Sequence, residues 1–164
     1  MRYDIILAID PDTEKSGVAR LDVTERKSWA YTVPFPLLIE YVRQVHRVNK
    51  DKRIAVVVEA SWHKIHNWHL TRRDSLGIAA KKVYDEGRNH KAGKKIIEML
   101  NYYGIKVVEK EPLRKIWQGK DRKITHTEIT AITGWGKKRS NQEERDAMLL
   151  AWDYSNLPII IKKP

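Results

Sequence analysis

Two short, unbroken apolar runs in this chain each end in a carboxylate: Ile5 to Ile9 leads into Asp10-Pro11, and the β-branched run Ile54 to Val58 leads into Glu59. A strand that is apolar on both faces has to be covered on both faces. Such runs therefore predict the interior of a sheet with helices packed on either side. Proline directly after Asp10 stops the first strand in a turn. Ligands of open α/β sheets collect beyond the carboxyl ends of the strands, which is where both acids stand.

The rest of the pattern supplies the remaining elements. Gly17 to Val23 and Ser28 to Val33 read as strands joined by short polar connections, an antiparallel meander with the first strand. From Pro36 the apolar period becomes helical through Leu37, Leu38, Tyr41, Val42, Val45 and Val48, ending near Asn49. The strand ending at Glu59 is expected to be central. Ser61 to Arg73 reads as a loop, followed by a helix from about Ser75 to Glu86 closed by Gly87. A separate helix carries Ile96, Ile97, Leu100 and Tyr103 to Gly104, and Ile105 to Glu109 makes a fifth strand. After a long basic connection, Thr125 and Glu128 have capping-box spacing before a short helix that Gly134 stops. A last helix spans about Asn141 to Tyr154, and Ile159 to Ile161 is left as a tail. This order predicts a ribonuclease H-like fold, a five-stranded mixed sheet flanked by helices, in one domain over residues 1–164.

Composition narrows the chemistry. Cysteine is absent, which excludes disulfides, thiolate zinc sites and cysteine nucleophiles. No run approaches the roughly 20 apolar residues of a membrane span, and the N-terminus lacks a signal pattern, so a cytoplasmic location is expected. The formal charge is +11, and it is localised: Arg72 to Arg139 holds 18 Lys or Arg against 8 Asp or Glu, while the rest of the chain is close to neutral. Such a segment predicts a nucleic-acid partner and neither a membrane surface nor a small-molecule substrate.

Glu143 and Asp146 lie three residues apart at the start of the last helix, a spacing that puts both side chains on one face. Together with Asp10 and Glu59 they make four acids that repel one another unless divalent cations hold them together. Hard oxygen donors favour Mg²⁺, with Mn²⁺ as substitute, over zinc. Two such ions per site can activate a water and stabilise the leaving oxygen in phosphodiester hydrolysis. The local alternative is that Ser140 caps the helix with Glu143 as its box partner. If Asn141 is the cap instead, Glu144 takes that role and Glu143 is free to be the fourth ligand.

At these residues the chain resembles the RuvC family of Holliday-junction resolvases. The resemblance runs from Ile9-Asp10-Pro11 through Gly17-Val18-Ala19, along Val56 to Glu59, and to Glu143 with Asp146-Ala147. In between, Gly87, Gly93, Gly104-Ile105, Val107, Glu109, Pro112, Lys115, Gly119, Lys123 and Glu128 look like that family's middle region. Asp12 and Glu143 depart from the family, which often has Gly at the first position and Asp or His at the second. The resemblance implies a homodimer that binds branched DNA, a four-way junction, and nicks two strands symmetrically, leaving ligatable ends.

Further residues suit contact with DNA. Trp62, His63, Trp68, Arg72 and Arg73 mix flat rings with cations, as recognition of phosphates and unstacked bases requires. The spacing of His63, His66 and His69 also permits a zinc reading, which the absence of other soft ligands disfavours. Arg88, Lys91, Lys115, Lys120, Arg122 and Lys123 are candidate phosphate contacts, as is the run Lys137, Lys138 and Arg139 before the last helix. Trp29, Trp117, Trp135 and Trp152 are assigned to packing. Two other functions remain open: a nuclease of the same fold acting on RNA–DNA hybrids or other branched DNA, and a catalytically silent DNA-binding protein.

Overall fold

A computed structural model of the chain describes residues 3–63 and 74–160. The expected sheet is present, with strands β1 (Ile5–Asp10), β2 (Lys15–Asp22), β3 (Lys27–Pro34), β4 (Ile54–Glu59) and β5 (Val107–Lys110) in the order β3-β2-β1-β4-β5. The first three pair antiparallel, whereas β1 with β4 and β4 with β5 pair parallel. The centre of the sheet is β1, and β4 is the interior strand beside it. Helices α1 (Phe35–Val48), α2 (Leu76–Tyr102), α3 (His126–Thr133) and α4 (Gln142–Tyr154) complete the order. Among the described residues no helix is long and apolar enough to cross a membrane.

Strand alternation sorts the core into two layers. Ile5, Leu7 and Ile9 point to the side of α1 and α2, where Leu38, Val42, Ile96 and Leu100 are fully buried. Ile6 and Ala8 point to the side of α4, against Ala147, Met148, Leu150 and Ala151, with Trp117, Ile124, Ile129 and Trp135 closing that layer. A row of small side chains crosses this second face, since Ala8 pairs with Ala19 and Ala19 with Ala30. It lets α4 lie close to the sheet. Each fully buried Leu, Ile or Met here contributes about 1.5–3 kcal/mol.

The next row along the strands matters most for the site. Asp10 pairs with Gly17 and Gly17 with Thr32, so the backbone under the first turn of α4 is bare at its centre. A Cβ on Gly17 would lie 2.0 Å from the carbonyl oxygen of Glu143. The missing side chain is what allows the start of α4 to rest on the sheet beside Asp10. Asn141 adds a contact there, its Nδ2 donating to Thr32 Oγ1 at 3.5 Å.

Some expectations are corrected. The two helices placed on either side of Gly87 are one continuous α2 of 27 residues. Gly87 has open space around its Cα, and a glycine inside a helix costs only about 1 kcal/mol. The helix ends where predicted, with Gly104 at φ 73° and Ile105 N–H bonded to the carbonyl of Leu100 at 3.0 Å. The fifth strand begins at Val107, leaving Ile105 as a buried connecting residue. Trp29 is 40% exposed on the edge strand, whereas Trp117, Trp135 and Trp152 are buried as assigned. Trp68, Arg72, Arg73, His66 and His69 lie outside the described residues.

Candidate active site

The carboxyl ends of β1 and β4 open into a cavity of about 480 Å³ lined by Asp10, Glu59, Glu143 and Asp146. Register explains the first pair: Ile9 lies opposite Val58 in the parallel ladder, so the next residue of each strand reaches the same rim. Side-chain alternation directs both toward the α4 face, because Ala8 and Val57 belong to that layer. The second pair comes from the first turns of α4. Asn141 caps that helix, accepting from Glu144 N–H at 2.9 Å, and Glu144 returns a bond to the Asn141 N–H at 3.4 Å. Both oxygens of the buried Glu144 also accept from Lys137 Nζ, at 2.7 and 2.8 Å. Of the two glutamates it is Glu143 that lines the cavity.

The electrostatics reflect this crowding. Burial pushes the Asp10 carboxyl well above the ordinary carboxylate range, and the charges of Glu59, Asp146 and Glu143 push it further, against an opposing pull from Lys123. Burial also raises Asp146, while a bond from Gln142 and the charges of Lys123, Lys115 and Arg145 hold it back. Hard oxygen donors that destabilise one another fit a divalent cation in kind. Among the described residues, no three Asp, Glu or His side chains stand close enough together to hold an ion as they are placed.

Basic residues frame the acids. Lys115 and Lys123 line the cavity, as does Arg114, which sequence reasoning did not single out. Lys123 follows a tight loop in which Asp121 and Arg122 have φ of 55° and 57°. Gly119 N–H donates to the Lys123 carbonyl at 3.0 Å, and a Cβ on Gly119 would lie 2.4 Å from that oxygen. Glu128 anchors the loop from α3: one oxygen accepts from Gln118 N–H at 3.1 Å, the other from Thr125 N–H at 2.9 Å. Lys120 and Arg122 are exposed on the same loop, outside the cavity. Asp12 is the turn residue expected, its Oδ1 accepting from Glu14 N–H at 2.9 Å.

Other candidates lie further out. Arg88 and Lys91 are exposed on α2, and Lys138 and Arg139 before α4, none of them in the cavity wall. Lys137 is engaged by Glu144 and flanked by the rings of Tyr31 and Trp135. Trp62 donates from Nε1 to Glu109 Oε2 at 3.0 Å, and His63 Nε2 is 2.8 Å from the same oxygen. The Trp62 ring packs where a Cβ on Gly93 would lie 2.5 Å from Cζ3. Lys82, Asp85, Glu86 and Asn89 also reach the cavity. No local signal marks these four, because their position depends on α2 continuing past Gly87. Gln142, one helical turn before Asp146, also lines the cavity and was missed.

No protein-family model matches this sequence, and no curated protein matches it. Among solved structures, RuvC of Thermus thermophilus in complex with a Holliday junction substrate is similar at TM-score 0.50 and 14% identity, over 93% of this chain and 96% of that one. A second Thermus thermophilus RuvC structure gives TM-score 0.51 and 15% identity, over 93% and 97%. The chain thus has the RuvC-like, ribonuclease H-like fold over 93% of its length, at low sequence identity to those neighbours.

Proposed function

We propose that the chain is a divalent-metal-dependent endonuclease that cuts four-way DNA junctions by paired, symmetric nicks, acting as a homodimer. The observation that carries this reading is the meeting of Asp10, Glu59, Glu143 and Asp146 in one cavity next to Lys115 and Lys123. On a fold that RuvC also has, with one RuvC structure bound to a Holliday junction, this favours hydrolysis of a phosphodiester over other chemistry.

In this reading the four carboxylates hold Mg²⁺ or Mn²⁺. The chemistry that a pair of such ions supplies is activation of a water and neutralisation of the leaving oxygen. The chain's own residues do the rest. Lys123 and Lys115 stand beside the acids, where they can grip the non-bridging oxygens of the phosphate and offset charge that builds up on it. The exposed cations at Lys120, Arg122, Arg88, Lys91, Lys138 and Arg139 hold the flanking backbone. A two-fold junction suits a two-fold dimer, one cavity for each strand to be cut.

The test is to incubate the purified protein with a synthetic four-way junction and with linear duplex, with and without Mg²⁺, alongside Asp146→Asn. Paired nicks in the junction alone are expected, with the variant's rate down by at least about 10³-fold and its binding kept. Equal cutting of linear duplex would remove the junction specificity and leave a nuclease. Binding without any metal-dependent cutting would favour the catalytically silent reading.

A further inference from the structure

The first turns of α4 contain a second polar chain that leads to Asp146. Gln142 Nε2 donates to Asp146 Oδ1 at 2.7 Å, and Arg145 Nη2 donates to Gln142 Oε1 at 2.8 Å. An amide has one accepting end and one donating end, and a guanidinium only donates. Arg145 therefore claims the oxygen of Gln142 and leaves the NH₂ to face the carboxylate. Arg145 is itself fixed from outside the helix. Its Nε donates to the carbonyl of Ile124 at 2.9 Å, and its Nη1 to the carbonyl and hydroxyl oxygens of Ser140 at 2.5 and 3.3 Å. Ile124 directly follows Lys123, so one guanidinium joins the segment bearing one of the cavity's lysines to Gln142 and, through it, to Asp146.

We infer that Gln142 is a positioning residue for Asp146, oriented by Arg145, and that the pair fixes the orientation in which this carboxylate meets a cation. The inference rests on the reading of Asp146 as a ligand. The amide bond to Oδ1 restrains the Asp146 side chain before any ion arrives. Outer partners of this kind fix ligand orientation and account for about 10–100-fold in metal affinity or activity. An ordinary polar pair on a helix surface would do neither, since such a pair supports only the helix that carries it.

The two roles separate in Mn²⁺ binding by the full chain, measured calorimetrically without DNA. Gln142→Met, close in volume and unable to donate, is expected to bind Mn²⁺ about 10–100-fold more weakly than wild type and to lose kcat on the junction, with metal-free junction affinity unchanged. Gln142→Ala, a strong helix former, is expected to behave the same way and guards against a packing fault at Met. Wild-type Mn²⁺ affinity and kcat in both variants would overturn the inference while leaving the four-acid reading intact. A wild-type protein that binds no Mn²⁺ would bring down both.

Discussion

Asp10 faces three other carboxylates across the cavity, and its chemistry is set by them. Because burial and the charges of Glu59, Asp146 and Glu143 raise its pKa above the ordinary 3.8, the folded chain holds this proton more tightly than the unfolded chain. Stability from this group is therefore fully present below the unfolded value and is lost as pH rises through the folded one. The metal-free protein is expected to melt at a lower temperature as pH is raised above the ordinary carboxylate range, and Asp10→Asn should flatten part of that decline. Mg²⁺ should raise the melting temperature more at the alkaline end, where the acids are charged. Thermal melts across pH, with and without Mg²⁺, check both; a stability that does not depend on Asp10 would mean that the carboxylates are not in conflict. At this scale the sequence was readable, because a carboxylate that ends a buried apolar run has few other reasons to be there. Asp10 and Glu59 could be seen that way. Gln142 could not, since a glutamine on a helix is ordinary until its partner Arg145 is seen to be tied to Ile124.

Among the elements, the placement of α4 depends on Gly17. The carbonyl of Glu143 occupies the volume in which a side chain at position 17 would stand. Gly17→Ala should push the first turn of α4 off the sheet, costing about 1–3 kcal/mol in urea denaturation and slowing cleavage at least tenfold as Glu143 is displaced. A variant as stable and as fast as wild type would show that the helix start is not held there. Capping signals in the sequence were good guides to α3 and α4, because a cap is a local bond: Thr125 with Glu128 and Asn141 with Glu144 both close as their spacing predicts. Long helix α2 was read as two because Gly87 was taken as a helix end; with Leu76, Ile78, Val83 and Tyr84 exposed before it, no buried apolar stripe links the two halves. Periodicity reports burial, and where a helix buries nothing the period has no cause.

For the whole molecule, the positive charge that stands out in the sequence divides into different jobs once folded. Lys115 and Lys123 belong to the cavity, Lys137 to Glu144, and Lys138 and Arg139 to solvent. Affinity for a junction should fall steeply with salt, by about 10³–10⁵-fold between roughly 50 and 200 mM if six to ten phosphates are engaged. Replacing Lys138 and Arg139 together should reduce the slope of log affinity against log salt by about two. Lys137→Met should leave that slope alone and instead lower stability by about 1–3 kcal/mol, by stranding a buried carboxylate. Filter binding over a salt series, paired with denaturation, separates the three basic neighbours. Their identical charge in the sequence gave no means of doing so, because only the fold decides which cation has an anion beside it.

The cavity draws its acids from three places: the end of the first strand, the end of the fourth, and a helix laid down more than eighty residues after the latter. During synthesis the strands are complete long before α4 emerges, and until that helix docks over Gly17 the cavity lacks Glu143 and Asp146. Under the proposed function, a half-made or partly melted copy could not cut, because two of the four acids reach the cavity only with that helix.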